Sequence, residues 1–112
     1  MSLNGPVYLS HPIGNNLLDE ALENYLVHGL SPGNFLTAVL ANDLERAALR
    51  ADHWNKQHLA DIVIAVAQNC PYNAFGSFDI VKDWCADAFG CRTEWVDIMR
   101  EQNIIRKLEN SY

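Results

Sequence analysis

The sequence predicts an all-α fold: a compact array of four or five helices over residues 16–112, preceded by an irregular arm over residues 1–15. Three observations carry this expectation. Apolar residues recur at three- and four-residue steps along most of the chain. Caps, prolines and glycines separate those stretches at points where a helix must start or stop. No segment alternates apolar and polar residues between turn signals as a strand would.

Taken in order, Gly5, Pro6, Pro12 and Gly14 make the first fifteen residues irregular. A first helix starts near Asn15 or Asn16 and runs to His28, with Leu18, Ala21, Leu22, Tyr25 and Leu26 as its apolar stripe and Gly29 as a left-handed stop. Ser31-Pro32 reads as a cap followed by a first-turn proline. It opens a second helix that carries Phe35, Leu36, Val39, Leu40, Leu44, Ala47 and Ala48 to about Ala51. Asp52 is placed to cap a third helix with Leu59, Ile62, Val63 and Val66, and the link is short enough that one bent helix is an alternative to a hairpin. Asn69 to Gly76 is a loop around Pro71. Ser77 caps a helix with Ile80, Val81, Trp84, Cys85 and Ala88, which stops at Gly90. Thr93 is the expected cap of the last helix, whose apolar residues are Trp95, Ile98, Met99, Ile105 and Leu108.

Composition narrows the function classes. A chain of 112 residues with 49% hydrophobic and 20% charged content is long enough for one core and too apolar for disorder. The longest apolar run, Ile62 to Ala67, is far shorter than the roughly 18–20 residues that span a bilayer, and the first residues show no basic-then-apolar leader, so no membrane partner is expected. The net charge of −6 comes without a basic cluster, since Arg106-Lys107 is the only adjacent basic pair, which argues against direct nucleic-acid binding. Acidic mimicry of nucleic acid toward a basic protein is an alternative reading of that charge, beside ordinary solubility. Three cysteines, an odd number, point to free thiols in the cytoplasm.

Candidate chemistry is sparse. His53 and His58 stand five apart, about 140° around a helix, and cannot share a ligand face; no metal and no cofactor are expected. Asp79, Asp83 and Asp87 recur every four residues and read as a solvated acidic face. There is no nucleophile elbow and no phosphate-cradling glycine loop, so catalytic residues are not assigned and an enzyme is not the expected reading. The densest polar set is Asn42, Asp43, Arg46, Arg50, Asp52 and Asn55. Asp43, Arg46 and Arg50 follow three- and four-residue spacing and can form a row, either as ion pairs and caps or as a site for a small anionic ligand.

From Tyr25 and Gly29, through Pro32-Gly33-x-Phe35-Leu36-x-Ala38-Val39-Leu40-x-Asn42-Asp43-Leu44, to Ala47, Arg50-Ala51-Asp52 and Asn55, the sequence resembles a family of small proteins encoded by phages and prophages. Pro71, Gly76-Ser77 and Trp84 continue the likeness, which covers roughly Leu18 to Trp84. Phe75 stands where that pattern has tryptophan, and the segment after Gly90 lies outside it. The family has no established activity, so the resemblance implies a bacterial cytoplasm rather than a mechanism. The expected function is a non-enzymatic interaction protein that binds a host protein or a second copy of itself. Trp54, Trp84 and Trp95 supply core and interface aromatics, and Trp95, Ile98, Met99, Ile105 and Leu108 are the candidate self-association face.

Overall fold

The computed structural model describes residues 9–109, with side chains described as far as Gln102. Among them are seven α-helices and no strand: α1 (Asn16–His28), α2 (Asn34–Leu40), α3 (Leu44–Arg50), α4 (His53–Gln57), α5 (Leu59–Asn69), α6 (Phe78–Cys85) and α7 (Cys91–Glu109), with a 3-10 turn at Ala88–Gly90 before the last. The all-α expectation holds, while four or five helices is too few.

Two interruptions make the difference. The expected second helix is cut after Leu40, because Asn42 takes a left-handed conformation at φ 61°. Asp43 N–H then donates to Ala38 C=O at 2.9 Å and Asn42 N–H to Val39 C=O at 3.1 Å, a closing pattern that satisfies the last carbonyls of α2. Asp43 at once caps α3, its carboxylate accepting Arg46 N–H at 3.0 Å. The expected third helix is cut at His58, which leaves the helical region at φ −114° and ψ 16°. Asp52 caps α4 as its sequence position suggests, accepting Asn55 N–H at 2.8 Å.

Other boundaries follow single side chains. Asn15 caps α1 by accepting from Leu17 and Leu18 N–H, and Gly29 ends it at φ 67°. Ser77 caps α6 through Ile80 N–H. Two expected caps are displaced. The helix after Ser31-Pro32 begins only at Asn34, behind Gly33 at φ 89°, and has no side-chain cap. Thr93 lies inside α7 rather than before it; Asp87 does the capping, its carboxylate accepting both the backbone N–H and the hydroxyl of Thr93.

Leu22, Tyr25 and Leu26 of α1, Leu36 and Leu40 of α2, Ile62 and Val66 of α5 and Trp84 of α6 form the fully buried centre. Each such side chain contributes roughly 1.5–3 kcal/mol through removal from water. Polar atoms within it are paired: Tyr25 Oη donates to Ala74 C=O at 2.6 Å and Trp84 Nε1 to Tyr25 C=O at 3.0 Å. The arm over residues 9–15 is irregular yet anchored. Buried Asp19 accepts from Ile13 and Gly14 N–H, and the Asn69 amide both donates to and accepts from the His11 backbone. Arg92 of α7 reaches back to donate to Trp84 C=O and Val27 C=O, both at 3.2 Å, so α7 closes the C-terminal ends of α1 and α6.

Candidate functional site

The polar set on the second sequence segment divides in the structure. Asn42 makes the left-handed turn, Asp43 and Asp52 are helix caps, and Asn55 is buried at the start of α4. Asp43, Arg46 and Arg50 do come together, with Glu45 and Leu49, around an open groove of about 310 Å³. Arg46 Nε lies 3.7 Å from Asp43 Oδ2, and its guanidinium sits 5.3 Å from the ring centre of Phe78. Two carboxylates thus accompany two guanidinium groups on an exposed surface. That balance opposes capture of a small anion, and an exposed pair of this kind contributes at most about 1 kcal/mol.

The candidate self-association face also separates. Trp95 packs edge-on against Trp84 with ring centres 5.9 Å apart and belongs to the margin of the core. Met99 is half-buried and Ile98 exposed; the side chains of Ile105 and Leu108 lie outside the described residues. The acidic row loses its third member, because α6 ends at Cys85 and Asp87 turns left-handed at φ 54° to cap α7. Asp79 and Asp83 are the exposed carboxylates that share the helix.

Nucleophilic chemistry finds little support. Burial pushes the Cys70 thiol up to about 12. Burial also raises Cys85, against the opposing pull of Arg92. A protonated thiol is a poor nucleophile. Trp54 stacks on His58 at 4.0 Å, and the His58 Nδ1 lies 2.8 Å from the Trp54 carbonyl, so this ring serves the kink between α4 and α5. Among the described residues no cluster of three or more His, Cys, Asp or Glu could hold a metal ion, and no helix is long and apolar enough to cross a membrane.

The site that sequence reasoning missed lies between the loop after α5 and the turn before α7. Tyr72, Asn73, Ile80, Asp83, Trp84, Ala88, Phe89 and Cys91 line a mainly apolar cleft of about 260 Å³. Trp84 is held from behind by Tyr25 and Trp95, while α6 stops at Cys85 and the chain reverses through Asp87, Phe89 and Gly90, all at positive φ. Gly90 N–H donates to Asp87 C=O at 2.9 Å, and the Asp87 carboxylate ties the turn to Thr93. The reversal leaves Phe89 fully exposed and Tyr72 87% exposed. A left-handed phenylalanine costs about 1–2 kcal/mol, and this one gains nothing from burial in the isolated chain. The sequence signal was present in outline: an aromatic residue directly before a stop glycine, and a tyrosine directly after the loop proline.

The Asp87 carboxyl is held below the usual carboxylate range by its hydrogen bonds from the Thr93 hydroxyl and backbone, assisted by the nearby Arg92. No family model, curated protein or solved structure matches the chain.

Proposed function

We propose that this chain is a non-catalytic protein-interaction module, acting in the bacterial cytoplasm in the phage or prophage setting that its sequence resembles. The observation that carries the reading is the fully exposed Phe89, held in a left-handed turn beside the apolar cleft over Trp84. Exposed aromatics that flank a concave apolar surface are the composition of binding hot spots. The cleft volume of about 260 Å³ lies below the roughly 300–1,000 Å³ of small-molecule sites and suits one large side chain of a partner.

The test compares proteins retained from bacterial lysate by the immobilised chain and by its Phe89→Ser variant, after circular dichroism establishes equal helicity. A protein held by the wild type and lost from the variant supports the reading. Identical profiles for the two baits, with equal helicity, would remove Phe89 and its cleft from any binding role.

A further inference from the structure

We infer that the occupant of the Phe89 cleft is a cationic amphipathic peptide segment: one large apolar side chain enters over Trp84, and lysine or arginine residues beside it meet Asp79 and Asp83. The inference rests on the interaction reading above and adds the chemistry of the partner.

Shape supplies the first half of the argument. Ile80, Ala88 and Phe89 present apolar surface to a cavity of side-chain size, with the buried Trp84 beneath it. An extended flat interface would need no such cavity, whereas a single anchor residue from a helix or loop fills it.

Charge supplies the second half. Asp83 lines the cleft, and Asp79 lies one turn before it on α6, about 6 Å along the axis. Both are exposed, and among the described residues neither is paired with a basic side chain. The Asp87 carboxylate is engaged with Thr93 and does not compete for a ligand. Two free carboxylates spaced by one helical turn match cationic side chains spaced three or four residues apart on a partner helix.

The same charges argue against a second copy. A two-fold pairing places the same patch on both partners. It would bring Asp79 and Asp83 of one copy against their counterparts, in a chain whose net charge is already −6. Like charges across an interface disfavour that arrangement, while a cationic partner is drawn in by them.

The test uses fluorescence anisotropy of labelled synthetic peptides with the full chain. The probe is a leucine–lysine peptide of about 14 residues, leucines at helical three- and four-residue spacing. Its controls are the same peptide with glutamate for lysine, and a shuffled peptide of unchanged composition. The expected result is saturable binding of the probe, weaker by about tenfold or more for either control. Phe89→Ser should weaken the probe by about tenfold, and Asp79→Asn with Asp83→Asn by about threefold or more, with a shallower salt dependence.

Equal binding of the shuffled peptide would reduce the effect to bulk charge and overturn the inference. Equal binding of the glutamate peptide, or an unchanged double variant, would overturn the cationic partner while sensitivity to Phe89→Ser preserved the interaction reading. Insensitivity to Phe89→Ser would overturn both. A wild-type dimer in sedimentation that Phe89→Ser dissolves would overturn the cationic partner in favour of a second copy.

Discussion

The indole N–H of Trp84 donates to the main-chain carbonyl of Tyr25 at 3.0 Å, and so joins α6 to α1 across 59 residues of sequence. The phenol of Tyr25 continues the chain of bonds by donating to Ala74 C=O at 2.6 Å in the loop before α6. Three segments thus meet at two polar contacts inside an apolar core. Tyr25→Phe keeps the ring volume and strands a buried acceptor. It should cost about 1–3 kcal/mol in urea unfolding. A cost near zero would mean that water or another donor replaces the phenol.

Gly29, at the end of α1, lies against the Arg92 side chain of α7. A Cβ there would stand 2.7 Å from Arg92 Nε and 2.9 Å from Cys85 O, on a backbone at φ +67°. Gly33, at φ +89°, has nothing within 4 Å of the same atom. Gly33→Ala should therefore cost only the backbone term, about 1–3 kcal/mol for an extended positive-φ conformation at ψ 171° that is nearly restricted to glycine. Gly29→Ala should cost more than that, because the Arg92 side chain must also leave two carbonyls. Thermal unfolding of the pair gives the comparison, and equal losses would contradict the packing described around Gly29.

The row on α3 gives a prediction of rank. Asp43→Ala and Asp52→Ala each remove a cap and should cost about 0.5–2 kcal/mol. Arg46→Ala breaks an exposed pair and the guanidinium contact with Phe78, and should cost about 1 kcal/mol. Arg50→Ala should change stability by about 0.5 kcal/mol or less. Denaturant midpoints for the four variants test the order. A large loss in Arg50→Ala would assign that side chain a structural bond that its exposed position does not suggest.

High pH should unfold the protein through the Tyr25 neighbourhood. Burial raises Tyr25 above its ordinary 10.0, helped by Cys85 and Cys70, and burial moves Cys70 from 9.0 up to about 12. Both groups are neutral when protonated, and the folded state holds their protons longer than the unfolded state does. Their contribution is fully present below the unfolded values and is lost as pH rises from about 9 toward the folded ones. Cys70→Ala should flatten the fall in urea midpoint between about pH 9 and pH 11. In the wild type, Cys70 should be the slowest of the three thiols toward an aromatic disulfide at about pH 8.

How much of this was legible in sequence depended on the range of the interaction involved. Asp52 and Ser77 were readable because a cap is settled by one side chain and the next three residues. The break at Asn42 was not, since the apolar stripe runs on from Phe35 to Ala48 with helical spacing. What selects the left-handed turn includes Gly76 N–H, which donates to Leu40 C=O at 2.7 Å from a loop far along the chain. The row of Asp79, Asp83 and Asp87 failed for a related reason, because periodicity does not reveal that α6 ends before its third member. The cleft was hidden more deeply. It exists only where the Tyr72 loop, α6 and the Phe89 turn converge, and none of the three is unusual alone.

The contact between Gly29 and Arg92 has an evolutionary consequence. The guanidinium occupies the volume that any side chain at position 29 would require, and its hydrogen bonds depend on that volume staying open. The two positions are therefore sterically coupled. In related sequences a residue larger than glycine at 29 should arrive with a shorter side chain at 92, so that two sites 63 positions apart by subtraction of their numbers behave as one inherited character.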